Sequence, residues 1–434
     1  MASLGVIHTS VSTEVASTST SFTEVVESSA LTDGTTYYII CHALCEGDGN
    51  AKVFEWQLVD RTNGDAVLSN STMKREPVTA NTCQSYTFIG RITAGSDGGG
   101  LAFEQKSVAT KTVRTQYLSM LLIDVSNLET SDYFYANNTT AATHTTTYAD
   151  RASLTVSSPT ADDTYLMFGW VATDTNHLGK NALMRMQVTQ GVDPVRNYPE
   201  ISYEGEDFTE VLNWWICRPY TMSSSSATFT IQTKDDDLTG DENEYLESTI
   251  FGLRLDAFEN FNSAYTEDET TSTSTSFIEL ESFSFTPDST GDVIVAACSV
   301  FDADGANRSS YERVQVDGTT KPNDVPDNEV NARSNDATDL LGLPYITRYD
   351  GVADTAKTLD LDVKKSPTAN IGWLNYSLSA FSAEIKPTPA PINYSAVATQ
   401  TFASGDVASQ SYNSGDVASE TFNSGDVASE VNPS

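Results

Sequence analysis

Four histidines and five cysteines are the whole supply of soft-metal ligands and thiol nucleophiles in this 434-residue chain. Three of them stand together in CHALC, as Cys41, His42 and Cys45, a composition that would suit zinc. On a strand, however, successive side chains point to opposite faces. His42 then faces away from Cys41 and Cys45, and one tetrahedral site cannot gather all three. The expected state is a half-buried histidine with ordinary hydrogen-bond partners. Cys41 and Cys45 would lie about 13 Å apart along an extended strand, beyond disulfide reach. Cys83 precedes a separate strand and could bridge to either. The odd cysteine count and wide scatter favour buried free thiols over a disulfide framework.

Oxygen-rich loops offer chemistry for a harder cation. DDDLTGDENE at 235–244 sets Asp235, Asp237, Thr239 and Asp241 around Gly240, a partial echo of an EF-hand loop. It departs at the twelfth position, where Leu246 stands, although Glu247 follows. FDADGAN at 301–307 adds Asp302, Asp304 and Asn307. Calcium would neutralise charge and stiffen such loops; the same residues also make good turns with no metal. Calcium is the one cofactor these loops suggest. No G-x-S-x-G, H-E-x-x-H, P-loop or dinucleotide fingerprint occurs. With 60 acidic residues a carboxylate pair at glycosidase spacing arises by chance, so the chain reads as noncatalytic. Trp214 and Trp215 are adjacent, so one must face the core. The other faces solvent, where it could stack on a sugar, or lies in a seam between domains.

Those residues must be positioned by strands. Threonine, valine, isoleucine, phenylalanine and tyrosine fill alternating or fully apolar runs, and Gly, Asn, Asp and Ser punctuate them. TSTSFTEVVES at 18–28 returns as TSTSFIELES at 273–282, with YADRASLTVSS at 148–158 between. Each is followed by a turn, a hydrophobic strand (TTYYIICHALC, TYLMFGWVAT, DVIVAACSVF) and an acidic loop. The next strand carries Gln57, Gln187 and Gln315, which read as equivalent, outward-facing positions. Beside them Trp56 and Leu58, Met186 and Val188, and Val314 and Val316 should point inward. Each copy closes on a long apolar strand. The fold class is therefore all-β: three tandem antiparallel jelly-roll-like sandwiches over 1–128, 129–258 and 259–386. The stretches 127–147 and 258–272 read as linkers. Residues 387–434 form a Pro-rich linker and a tail in which SGDVAS returns every ten residues, at Ser404, Ser414 and Ser424. Phe402, Tyr412 and Phe422 keep the same spacing, as expected of a segment that orders against sister chains.

The net charge of −36 disfavours nucleic acid and anionic membranes as partners. No apolar run is long enough to span a bilayer, and the first residues lack the basic and apolar regions of a secretion signal. The repeated STSF-turn-strand pattern, with WQLVD and a closing apolar strand, resembles the jelly-roll modules of tailed-phage virions: head fibres, decoration proteins and tail fibres. The resemblance implies a noncatalytic, multimeric protein on the virion exterior, made in the host cytoplasm. Its partners would be copies of itself, as a trimer, other virion proteins, and a host-surface glycan. A carbohydrate-binding adhesin is the alternative.

Overall fold

The computed structural model describes residues 3–49, 52–75, 82–108, 110–157, 159–175, 181–191, 195–197, 200–204, 210–223, 225–235, 243–289, 291–303, 309–321, 330–333, 340–350, 354–365, 371–386, 407–411 and 427–431. They divide into two units, 1–386 and 387–434. Among the described residues no helix is long and apolar enough to cross a membrane.

The first unit repeats one series of ten strands three times. The first series is β1 (Gly5–Val11), β2 (Val15–Ser17), β3 (Thr23–Glu27), β4 (Thr36–Gly47), β5 (Phe54–Asp60), β6 (Ala66–Val67), β7 (Met73–Arg75), β8 (Thr82–Thr93), β9 (Leu101–Lys106) and β10 (Val113–Asp124). The second is β11 (Tyr133–Asn138), β12 (Ala142–Thr143), β13 (Ala149–Val156), β14 (Thr164–Thr175), β15 (Asn181–Gln190), β16 (Arg196–Asn197), β17 (Ile201–Glu204), β18 (Glu210–Thr221), β19 (Ala227–Asp235) and β20 (Glu244–Arg254). The third is β21 (Phe261–Thr266), β22 (Thr270–Ser272), β23 (Ile278–Phe285), β24 (Asp292–Ala303), β25 (Ser309–Val316), β26 (Thr319–Lys321), β27 (Val330–Arg333), β28 (Leu340–Asp350), β29 (Lys357–Lys365) and β30 (Ile371–Ser382). The fourth strands begin at 36, 164 and 292, two equal steps of 128 residues.

Each repeat is a sandwich of two antiparallel sheets. The inner sheet of the first runs β1-β10-β4-β8 and its outer sheet runs β7-β5-β9-β3. The same order recurs as β11-β20-β14-β18 over β17-β15-β19-β13, and as β21-β30-β24-β28 over β27-β25-β29-β23, with β6, β16 and β26 each pairing the end of β5, β15 and β25. Across the gap between sheets, Tyr86 meets Phe103 edge-on at 4.9 Å, and Tyr220 meets Phe229 at 5.2 Å. In the third repeat Trp373 Nε1 donates to Ser310 Oγ at 2.8 Å. Outer edge strands such as β13 alternate exposed and covered positions, as expected of a sheet with one wet face. β4 is buried along nearly its whole length on both faces.

That second covered face is where the repeats meet. β4 and β10 lie against β28, β14 and β20 against β8, and β24 and β30 against β18. Each inner sheet thus packs on the last inner strand of a neighbour, and the three repeats close into a ring. Two outer sheets also continue into the next inner sheet, through the pairs Lys74↔Val211 and Ser202↔Leu340. At the third junction β27 lies against β8. Residues 3–4 return to the end of the third repeat, with Ser3 bridging Glu384 and Leu4 N donating to Ala383 O at 2.7 Å.

Two expectations need correction. The stretches read as linkers contain the first two strands of the second and third repeats. β11 and β12 pair with β20, and β21 and β22 with β30, because short Thr- and Asn-rich segments suffice for an edge strand. Gln57 is not equivalent to Gln187 and Gln315. It lies opposite Glu104, as Arg185 lies opposite Gln232 and Arg313 opposite Asp362. The inward residues Trp56, Leu58, Met186, Val188, Val314 and Val316 are all buried.

In the second unit β31 (Val407–Ser411) and β32 (Val427–Val431) run parallel, in register from Val407↔Val427 to Ser411↔Val431. The first decapeptide therefore pairs with the third. A parallel pair needs a crossover of about a dozen residues or more, which a neighbouring decapeptide would not leave room for.

Candidate functional site

Of the residues singled out for calcium, Asp235 ends β19 and is 1% exposed. Its carboxylate accepts from Asn243 Nδ2 at 3.0 Å and from Asn243 N at 3.3 Å, which ties the end of β19 to the residue before β20. His144 Nδ1 lies 3.7 Å away, and burial pushes its imidazole down to about 4. Asp302 ends β24 and lines a cleft of about 560 Å³ with Glu269, Thr271, Ser272 and Thr273. Burial and then the neighbouring Glu269 raise its pKa. Asp237, Thr239, Asp241, Asp304 and Asn307 lie outside the described residues, as do Phe402, Tyr412 and Phe422. Among the described residues no group of three or more His, Cys, Asp and Glu could hold a metal.

Trp215 is 1% exposed and packs on Phe168 at 5.5 Å. Trp214 is half-buried against two hydrophobic clusters, one centred on the first two repeats and one on the third. It covers the seam between them. Cys41, Cys217 and Cys298 are free and buried, and Cys45 is buried; the side chain of Cys83 lies outside the described residues. His42 is fully buried rather than half-buried, and neither ring nitrogen has a partner among the described residues. The correction has a structural cause, since the neighbouring repeat covers the strand face that a lone sandwich would leave wet.

The repeated STSF segment has a structural task. Ser19 Oγ donates to Ser21 O at 2.8 Å, and Ser274 Oγ donates likewise to Ser276 O at 2.8 Å; Thr145 Oγ1 does the same to Thr147 O at 2.7 Å. These turns set an aromatic ring over cations on the outer sheet. Phe22 faces Lys106 at 5.3 Å, Tyr148 faces Lys234 at 4.6 Å and Arg185 at 3.7 Å, and Phe277 faces Lys364 at 4.6 Å and Arg313 at 3.8 Å. Beneath them a polar tie repeats. Gln57 Nε2 donates to Glu104 at 2.7 Å, Arg185 Nε to Gln232 at 2.9 Å, and Arg313 Nε to Asp362 at 3.0 Å.

The seams bring out an equivalence that sequence reasoning missed. His42, Trp170 and Cys298 stand 128 residues apart, on the inner-sheet face that the next repeat covers. Trp170 Nε1 reaches from the second repeat to Thr87 O in the first, at 3.1 Å. Ser377 Oγ reaches from the third to Cys217 O in the second, at 2.8 Å. Tyr117 Oη reaches from the first to Ile346 O in the third, at 3.4 Å. The exact 128-residue step was the available signal, but it marks equivalence and not which strand lies opposite.

No family model matches the chain, and no curated protein matches it. Among solved structures, one from work on the triple jelly roll fold and turret assembly of an archaeal virus aligns at 10% identity. It covers 86% of this chain and 83% of that chain, with a TM-score of 0.18. A Sulfolobus Turreted Icosahedral Virus chain aligns at 10% identity over 85% of this chain and 83% of its own, TM-score 0.19. Eiger TNF from S. frugiperda aligns at 10% identity over 29% of this chain and 93% of its own, TM-score 0.22. Likenesses this weak carry nothing about function, and the fold assignment rests on the strand pairing above.

Proposed function

We propose that this chain is a noncatalytic structural protein on the outside of a tailed-phage particle, as a capsid decoration, head fibre or tail fibre. The observation that supports the reading is the closed ring of three fused sandwiches. The chain spends its inner-sheet faces on holding itself together, which suits a rigid displayed body. The starts of β4, β14 and β24 pair with the ends of β10, β20 and β30, at Tyr37↔Asp124, Tyr165↔Arg254 and Val293↔Ser382. Both connectors between repeats, and the exit at Lys386, therefore leave from one pole. The far ends of β4, β14 and β24, at Gly47, Thr175 and Ala303, mark the other pole, the loop pole. In this reading the tail links the ring to the particle and the loop pole faces outward.

Electron microscopy of purified particles labelled with an antibody to this chain tests it. Label at head vertices, faces or tail is expected; unlabelled particles overturn the reading. A chain lacking 400–434 should fold and fail to incorporate, and normal incorporation would reduce the tail to a spacer. A second reading, a carbohydrate-binding adhesin, draws on the Asp302 cleft, whose carboxylates and hydroxyls suit a sugar or a calcium-bridged glycan. It predicts glycan-array binding that chelation abolishes, whereas the structural reading predicts none.

A further inference from the structure

One seam of the ring differs from the other two. The first and second repeats are joined through residues 125–132 and the second and third through 255–260, whereas the third and first meet only by noncovalent contact. Its ties among the described residues include Tyr117 Oη to Ile346 O at 3.4 Å, Arg348 Nη1 to Val6 O at 3.4 Å, and Leu4 N to Ala383 O at 2.7 Å. Two of the chain's four histidines lie on the first repeat's side of this seam.

His8 on β1, Ser119 on β10 and His42 on β4 share one face of the inner sheet, as their register requires: His8 pairs with Leu121, two residues from Ser119, and Ser119 pairs with His42. His8 Nε2 lies 3.0 Å from Ser119 Oγ. The third repeat sets the Arg348 guanidinium toward His8, held by Asp292 at 2.8 Å. Around His42 stand Tyr117 at 5.9 Å between ring centroids, Ser119, and Thr87 paired to it on β8. Tyr117 reaches on to β28, where Tyr345 and Thr347 flank Ile346. No carboxylate appears among these neighbours of His42, and its two ring nitrogens have no partner among the described residues. An imidazolium here would bury a charge without a counterion, and one at His8 would face Arg348.

We propose that the seam between the first and third repeats is an acid-released clasp: protonation of His8 and His42 opens the ring there while the two covalently bridged seams hold. The equivalents of His42 at those seams are Trp170 and Cys298, which take up no proton in acid. Burial agrees in direction, since it holds both imidazoles below the ordinary histidine value, His8 at about 4 and His42 at about 3.

Hydrogen exchange read by mass spectrometry on the full chain tests this, with rates corrected for the intrinsic effect of pH. As pH falls from neutral toward 4, peptides from β4 and β10 should lose protection several-fold before those from β14 and β24, their counterparts at the other two seams. The His42→Phe variant keeps an aromatic ring, and His8→Asn keeps a polar group toward Ser119. Either should move the opening midpoint to lower pH, and both together should abolish the order of opening. If all three seams open together, or if the variants open at the wild-type pH, the clasp is overturned. Should His42→Phe misfold, His8→Asn alone decides.

Discussion

His42 in the first repeat and Glu312 in the third are both fully buried and both ionisable, yet the ring holds them for opposite reasons. His42 lies on a seam face and stays neutral by losing its proton. Glu312 lies inside a sandwich and stays neutral by keeping one, burial lifting its pKa to about 8. Its Oε2 pairs with Ser299 Oγ at 2.5 Å, and Oε1 has no partner among the described residues. The same core position holds Trp56 in the first repeat and Met184 in the second, opposite Gln105 and Thr233 as Glu312 is opposite Val363. Ser299 stands where they have Ala43 and Val171. The three repeats therefore share a hydrogen-bonding plan and differ in what fills it. Backbone pairing tolerates this, because the ladder does not depend on side-chain chemistry, whereas each core must be filled by its own set.

The largest test of this comparison is Trp170→Ala. It removes a buried ring that packs on Phe88 at 5.1 Å and donates across the first seam. A loss of about 3–5 kcal/mol is expected in urea unfolding. A single transition would show that the three repeats unfold as one body; two would show that the seams are weaker than the cores.

Next comes pH dependence, where the two groups pull apart. Glu312 has a folded value of about 8, above its ordinary 4.5. Its contribution is complete below about pH 4.5 and is lost as pH rises toward 8, on the order of a few kcal/mol. His8 and His42 have folded values of about 4 and about 3, below 6.5. Their contribution is complete above about pH 6.5 and is lost as pH falls toward 4. Melting temperature should therefore decline on both sides of a maximum. Glu312→Gln should flatten the alkaline limb alone; an unchanged limb would break the contrast.

Smaller effects sharpen it at the connector and on the outer sheet. Arg254 pairs with Asp132 at 2.7 Å and Asp163 at 3.3 Å where the first connector ends. Arg254→Ala should cost about 1–2 kcal/mol in chemical denaturation. Phe277 covers two cations and Phe22 one, so Phe277→Ala should cost about 0.5–1 kcal/mol and Phe22→Ala less. Equal losses would mean that packing, and not the cation, sets the value.

Alternation and repetition made the all-β fold and its three sandwiches legible. The inward positions from Trp56 to Val316 follow from a period of two, which records burial one residue at a time. The same period misled at Gln57, because matching letters do not fix which residue of β9 lies opposite. The STSF turns were visible as a repeat, but their role needed arginines about 36 residues away and lysines about 85 residues away, on other strands.

By itself, the sequence determined that a hydrophobic strand recurs after the turn in each of three successive repeats of roughly equal length. Only the tertiary structure decided that β4 is covered by β28, β14 by β8 and β24 by β18. The pattern states that a face must leave water, and that burial is satisfied equally by any apolar partner. Which partner arrives depends on contacts between residues about 80 to 300 positions apart, and no local period encodes them.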